Sequence, residues 1–121
     1  MTVTVVKTNQ NIASSTVVKD TNANGSMAAN TTSEGGTLYS IEVINPNTDW
    51  VYFKLINATT GTVGTTAAEL VYPATASATS SVVFPKGVYF NAGFTHWCVL
   101  GAAESSTSAP TSAVTITYVT V

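Results

Sequence analysis

The chain closes with Ala113-Val-Thr-Ile-Thr-Tyr-Val-Thr-Val121, where Val114, Ile116 and Tyr118 alternate with Thr115, Thr117 and Val119. Successive side chains leave a pleated strand on opposite sides, so this alternation predicts a strand with one buried face. Val and Thr are stiff at χ1 and fit a pleat better than a helix, and the chain holds 22 Thr. The same period recurs in Met1-Thr-Val-Thr-Val-Val-Lys7, which sets Val3 and Val5 opposite Thr2, Thr4 and Val6. It recurs again in 37–44 (TLYSIEVI), 50–57 (WVYFKLIN), 80–84 (SSVVF), 88–90 and 94–100.

Turn signals fall between these runs. Asn45-Pro46-Asn47-Thr48-Asp49 separates 37–44 from 50–57 and predicts an antiparallel hairpin, with Tyr39, Ile41 and Val43 on one face of its first strand. Val51, Phe53 and Leu55 are expected inward on the second strand, and Trp50, Tyr52, Lys54 and Ile56 outward. Pro73 is expected to end the short run Leu70-Val71-Tyr72, and Pro85-Lys86-Gly87 reads as a type II turn with positive φ near the glycine. From Asp20 to Gly36 the polar sequence DTNANGSMAANTTSEGG predicts a long loop with a tight turn at Asn24-Gly25. These signals give an all-β chain of about eight to nine strands in one domain over 1–121, an antiparallel β-sandwich of jelly-roll-like or Ig-like type.

Charge narrows the functional classes. With 4 Lys, no Arg and 6 acidic residues, charged side chains make up 8% of the chain, against roughly 25% in ordinary domains. Hydroxyls and amides solvate the surface instead: besides Thr there are 12 Ser and 9 Asn. A net charge of -2 without Arg argues against nucleic acid and against anionic membrane surfaces. No apolar run approaches the roughly 18 residues of a membrane helix, and the first residues lack the basic start and apolar stretch of a signal peptide. One Cys forms no intrachain disulfide.

Catalytic signatures are sparse. Asp20, Glu34, Glu42, Asp49, Glu69, Glu104 and His96 are scattered, and no pair stands out. His96-Trp97-Cys98 is the most chemical tripeptide. On a strand, His96 and Cys98 share a face about 7 Å apart, a metal-binding spacing that needs carboxylates to complete it. The alternative makes Cys98 a small buried hydrophobe and His96 a solvated or hydrogen-bonded neighbour. Gly61-Thr-Val-Gly64-Thr-Thr66 lacks the Lys and helix of a phosphate loop and reads as a glycine turn. Trp50, Tyr52, Tyr89, Trp97 and Tyr118 could build a platform for a sugar or fill a core. Two sequons, at Asn30 and Asn57, are what chance gives in so Asn- and Thr-rich a chain. Nothing calls for a cofactor.

From Ser40 onward the order of features resembles the small all-β virion structural proteins of tailed bacteriophages, some of which are capsid decoration or cement proteins. The pieces are the Asn45-Pro46-Asn47-Thr48 turn, Phe53-Lys54-Leu55 before a Thr/Gly loop with Val63-Gly64-Thr65, and Ser81-Val-Val-Phe-Pro-Lys-Gly87. Asn91-Ala-Gly-Phe94, Gly101-Ala-Ala-Glu-Ser105 and the closing Val114-Thr-Ile-Thr-Tyr118 strand complete them, covering about two thirds of the chain. The resemblance implies a non-enzymatic protein, made in the host cytoplasm, that binds the outer surface of the major capsid protein lattice together with copies of itself, as in a trimer. A tail, baseplate or fibre component and a carbohydrate-binding module are the alternatives. Residues 1–19 are the expected attachment strands, pairing with a neighbouring sheet edge or forming an ordinary edge strand, with 20–36 as a second contact. Val3, Val5, Ile12, Val17, Asn24, Met27, Trp50 and Tyr52 are the candidate partner-binding residues.

Overall fold

A computed structural model of the chain describes residues 3–7 and 15–121. Eight strands form two antiparallel sheets: β1 (Val3–Lys7), β2 (Thr16–Ala23), β3 (Gly36–Asn45), β4 (Val51–Ile56), β5 (Leu70–Ala74), β6 (Ala78–Phe90), β7 (Thr95–Val99) and β8 (Val114–Thr120). The large sheet has the order β1-β2-β8-β3-β6 and the small one β5-β4-β7. The described residues contain no helix.

The alternation of β8 is realised in full, with Val114, Ile116, Tyr118 and Thr120 buried and the residues between them half-exposed. Val114, Ile116 and Tyr118 join Val18, Leu38, Ile41 and Val43 of the large sheet and Val51, Phe53, Leu55 and Cys98 of the small sheet in one core. That burial is the main source of stability for a chain with so few charges.

Five expectations are corrected. The runs 37–44 and 50–57 do not form a hairpin, because β3 and β4 lie in different sheets. Asn45 explains the crossing. Its buried side chain donates to the carbonyls of Asp49 (2.9 Å) and Thr75 (3.2 Å) and accepts from the Asn47 amide N–H (3.0 Å). Asn47 in turn exchanges bonds with Ser112, donating to its carbonyl (3.1 Å) and accepting from its N–H (2.7 Å). The corner therefore carries the chain from one layer to the other instead of folding it back on itself.

Leu38, not Tyr39, faces the core, because the register shifts between Leu38 and Ser40 and the bulge turns Tyr39 outward. Opposite that bulge, Pro85-Lys86-Gly87 does not separate two strands but lies within β6. Gly87 does take the expected positive φ, at 72°, and a Cβ there would collide with Thr37 Cγ2. Pro73 likewise sits inside β5, an edge strand where its missing N–H costs no ladder bond. Finally, the polar stretch begins four residues late: β2 runs on through Asp20-Thr21-Asn22-Ala23, and the loop covers only 24–35.

Candidate functional site

Asp20 and His96 are 76 positions apart in sequence, yet the fold brings them into contact in the core. Asp20 comes from β2 and His96 from β7, so they reach across the two sheets. His96 Nε2 lies 2.8 Å from Asp20 Oδ2, with both side chains 1% exposed. Asp20 Oδ1 accepts from the Asn22 N–H at 2.9 Å. The other imidazole nitrogen, Nδ1, is 3.0 Å from the Tyr118 hydroxyl of β8, which is 2.7 Å from Thr31 Oγ1. Thr31 Oγ1 also reaches the Phe94 carbonyl at 3.3 Å. Around the imidazole, the Phe53 ring is tilted at 5.6 Å and the Tyr118 ring meets it edge-on at 5.5 Å.

This environment fixes the neighbouring titrations. Burial, with the Asp20 carboxylate adding to it, pushes the Cys98 thiol up to about 12. Burial also raises the Tyr118 phenol; its bond to Thr31 opposes the shift and Asp20 reinforces it. Cys98 does share a strand face with His96, but both ring nitrogens already face protein partners, so no lone pair is left for a metal. No group of three or more His, Cys, Asp or Glu among the described residues could hold one. The network is sealed from solvent, and in this closed state it ties sheet to sheet. The spacing of Asp20 and His96 offers no sequence signal for the pair, and the polar run from Asp20 onward reads as a loop, not as a strand face.

The expected outward face of the small sheet is the next correction. Lys54 and Ile56 do point away from the main core, yet both are buried. Ile56, Trp97 and Val99 form a second cluster with Met27, Ala58, Val63 and Ala68, residues of the loops 24–35 and 57–69. Lys54 Nζ donates to the Ala103 carbonyl at 2.7 Å, pinning the loop 101–113 over it. Burial lowers the Lys54 pKa and Glu104 opposes that shift. The free edge of β7 is covered as well: Cys98 N–H donates to the Asn24 carbonyl, His96 and Ala28 exchange bonds, and Leu100 N–H donates to Ser108.

The large sheet is treated differently. Val6 pairs with Val17, Val17 with Val119, Val119 with Ser40 and Ser40 with Val83, giving one row across all five strands. A second row, Tyr89, Thr37 and Val121, runs beside it. The ends of these rows stay open, with Tyr89 71% exposed, Val83 68%, Val6 49% and Val121 45%, while Val17, Thr37, Ser40 and Val119 are half-buried. Ser15, Tyr39, Val119 and Val121 line a shallow concavity of about 310 Å³ between the rows. Farther along the face the residues turn polar, through Thr4, Lys19, Thr117, Glu42 and Ser81.

No family model, no curated protein and no solved structure matches this chain.

The eight candidate partner-binding residues do not converge. Val17 alone belongs to the open row; Val3 packs against the main core and Val5, at the sheet edge, is partly exposed. Asn24 is engaged internally, its Oδ1 accepting from Ser26 N–H at 2.8 Å and its Nδ2 donating to Asn22 O at 3.0 Å. Met27 packs in the second cluster. Trp50 is exposed and Tyr52 half-buried on the small sheet. Ile12 lies outside the described residues. Of the attachment segment, β1 forms the edge strand of its own sheet. An outward residue on a strand looks the same in sequence whether a loop covers it or not, so Val83, Val119 and Val121 carry no mark there and Tyr89 appears only among the rings of a sugar platform or a core. No helix among the described residues is long and apolar enough to cross a membrane.

Proposed function

We propose that this chain is a non-enzymatic virion structural protein, a capsid decoration protein that lies on the outer surface of a major capsid protein lattice and clamps it through many weak contacts. The observation that carries this reading is the exposed set Val6, Val83, Tyr89 and Val121 on one sheet face, with half-buried Val17 and Val119 between them. Apolar side chains left exposed together on one sheet face mark a protein contact. A surface poor in charge suits attachment that must not depend on ionic strength. Many copies on one lattice, in trimers or singly, multiply a modest affinity.

The fold type we infer is a jelly-roll sandwich, which the strand order supports. If the Ala28 bridge to His96 is counted as a remnant strand, the sheets become β2-β8-β3-β6 and Ala28-β7-β4-β5, with the first strand beside the last and β1 added at the edge. Jelly rolls also occur in lectins. Exposed Trp50 therefore keeps one second reading in play, a sugar-binding module.

Quantitative mass spectrometry of purified particles tests the proposal. On the order of hundreds of copies in simple ratio to the major capsid protein are expected, whereas about three, six or twelve would make it a tail component. Absence from particles, with tryptophan fluorescence that responds to glycans, would establish the sugar-binding reading instead. Binding to particles should change little between about 0.1 and 1 M salt, a range over which the screening length falls from roughly 10 to 3 Å.

A further inference from the structure

We propose that the Asp20, His96, Tyr118 and Thr31 chain is a reversible hydrogen-bond relay, built so that the tie between the sheets accepts a proton at His96 while the core stays closed. The argument rests on counting donors. With a neutral imidazole, Nε2–H donates to Asp20 Oδ2, Nδ1 accepts from the Tyr118 hydroxyl, and Tyr118 Oη accepts from the Thr31 hydroxyl. With imidazolium, Nδ1 carries a proton and must donate. Tyr118 Oη becomes its acceptor, the Tyr118 proton turns to Thr31 Oγ1, and the Thr31 proton turns to the Phe94 carbonyl. In the neutral state that carbonyl still accepts from the Thr31 N–H at 2.9 Å. Two hydroxyl rotations therefore reverse the polarity of the whole chain. No heavy atom moves, and no buried donor or acceptor is orphaned in either state.

The proton comes from solvent, and its charge is balanced in place. Asp20 takes the Asn22 N–H on Oδ1 and the imidazole N–H on Oδ2, an all-acceptor role that belongs to a carboxylate. Asp20 faces the imidazole from β2 and Tyr118 from β8, with the Phe53 ring of β4 beside it; Thr31 of the loop stands behind Tyr118, and Cys98 lies two residues along the same strand. Lys54 and Glu104 lie beyond the opposite face of the small sheet. Cys98 and Tyr118 keep their protons well into the alkaline range, so neither gives one up over the pH range of the test.

The relay needs an amphoteric hydroxyl at 31 and at 118. Thr31→Val keeps the shape and removes the last acceptor. In the neutral state Tyr118 Oη merely loses one incoming bond; in the protonated state the Tyr118 O–H has nowhere to point. The test is urea unfolding of wild type, Thr31→Val and Thr31→Ser at about pH 8 and about pH 5, within the range where histidine titrates. The loss in unfolding equilibrium constant caused by Thr31→Val should be roughly tenfold larger at the lower pH, the scale of one stranded buried donor, and Thr31→Ser should remove that difference. Equal losses at both pH values mean that Thr31 only packs, and overturn the relay. Imidazole ¹⁵N spectra of the wild type give a second readout that does not depend on a variant folding. The Nε2–H form is expected at high pH, with Nδ1 gaining a proton in the intact fold as the pH falls. An Nδ1–H tautomer at high pH, or protonation only on unfolding, overturns the proposal.

Discussion

The outer faces of the two sheets are built from similar strand residues and end in opposite states. On the small sheet, loops 24–35, 57–69 and 101–113 fold back over Lys54, Ile56, Trp97 and Val99 until all four are buried. On the large sheet, Val6, Val83 and Val121 remain open. A strand's own alternation decides which way a side chain points. Whether that side chain meets water depends on where the long connections travel, and among the described residues the loops 24–35, 57–69 and 101–113 travel to one side only. Fold and stability draw on the covered side; the open side is where we propose the lattice contact.

The largest test of that contrast compares Trp97 with its open counterparts. Trp97→Ala removes the centre of the second cluster and should cost about 3–5 kcal/mol, read by urea unfolding. Val119→Thr, on the open row, should stay within about 0.5 kcal/mol. Similar losses at both sites would mean that the large sheet's outer face carries folding energy after all.

Lys54 sharpens the comparison one step down. Lys54→Ala removes the aliphatic stem beneath the loop 101–113 and should cost about 2 kcal/mol, whereas Lys54→Met keeps the stem, discards a buried charge and should be neutral or stabilising. The pH dependence has a definite sign. With the folded pKa lowered, the unfolded chain holds the proton more tightly, so this group's contribution to stability rises with pH as the ordinary lysine value of 10.5 is approached. Lys54→Met should abolish that rise in pH-dependent unfolding curves.

How much of this was legible follows from what each signal encodes. Alternation in β8 and the inward set Val51, Phe53 and Leu55 is a period-two fact, and it survived folding intact. Positive φ at Gly87 was legible because it is local chemistry. The hairpin between 37–44 and 50–57 failed because Asn45 spends its side chain on Asp49, Thr75 and Asn47, partners that a turn rule does not contain. Tyr39 failed because one bulge inverts parity beyond it. The Asp20 and His96 pair, like the cover over Lys54, joins residues that only tertiary structure makes neighbours.

Cys98 tests the seal between the sheets. Its thiol is held up to about 12 against an ordinary 9.0, so the folded state keeps a proton that the unfolded chain releases. Stability from this group is complete below the ordinary value and is lost as the pH climbs toward the folded one, at up to about 1.4 kcal/mol per pH unit. Tyr118 adds a loss of the same sign. Cys98→Ala should flatten the alkaline decline. A thiol reagent at neutral pH should label the wild type only at the rate of unfolding; rapid labelling of the native protein would show that the core admits solvent.

The smallest effect on stability should carry the largest effect on attachment. Val83→Lys and Tyr89→Ser change two of the most exposed apolar side chains of the molecule, so each should leave the unfolding midpoint within about 0.5 kcal/mol of wild type. If the open face is the lattice contact, co-sedimentation of these variants with particles should fall at least about tenfold, since losing a buried apolar anchor costs an interface more than about 1 kcal/mol. Trp50→Ala, on the other sheet, should bind as the wild type does. The reverse pattern, with Val83 and Tyr89 silent and Trp50 essential, would move the contact to the small sheet and favour a sugar over a protein lattice. Because none of the three substitutions touches the core, a folded protein is expected in every case, and the two faces are compared through binding alone.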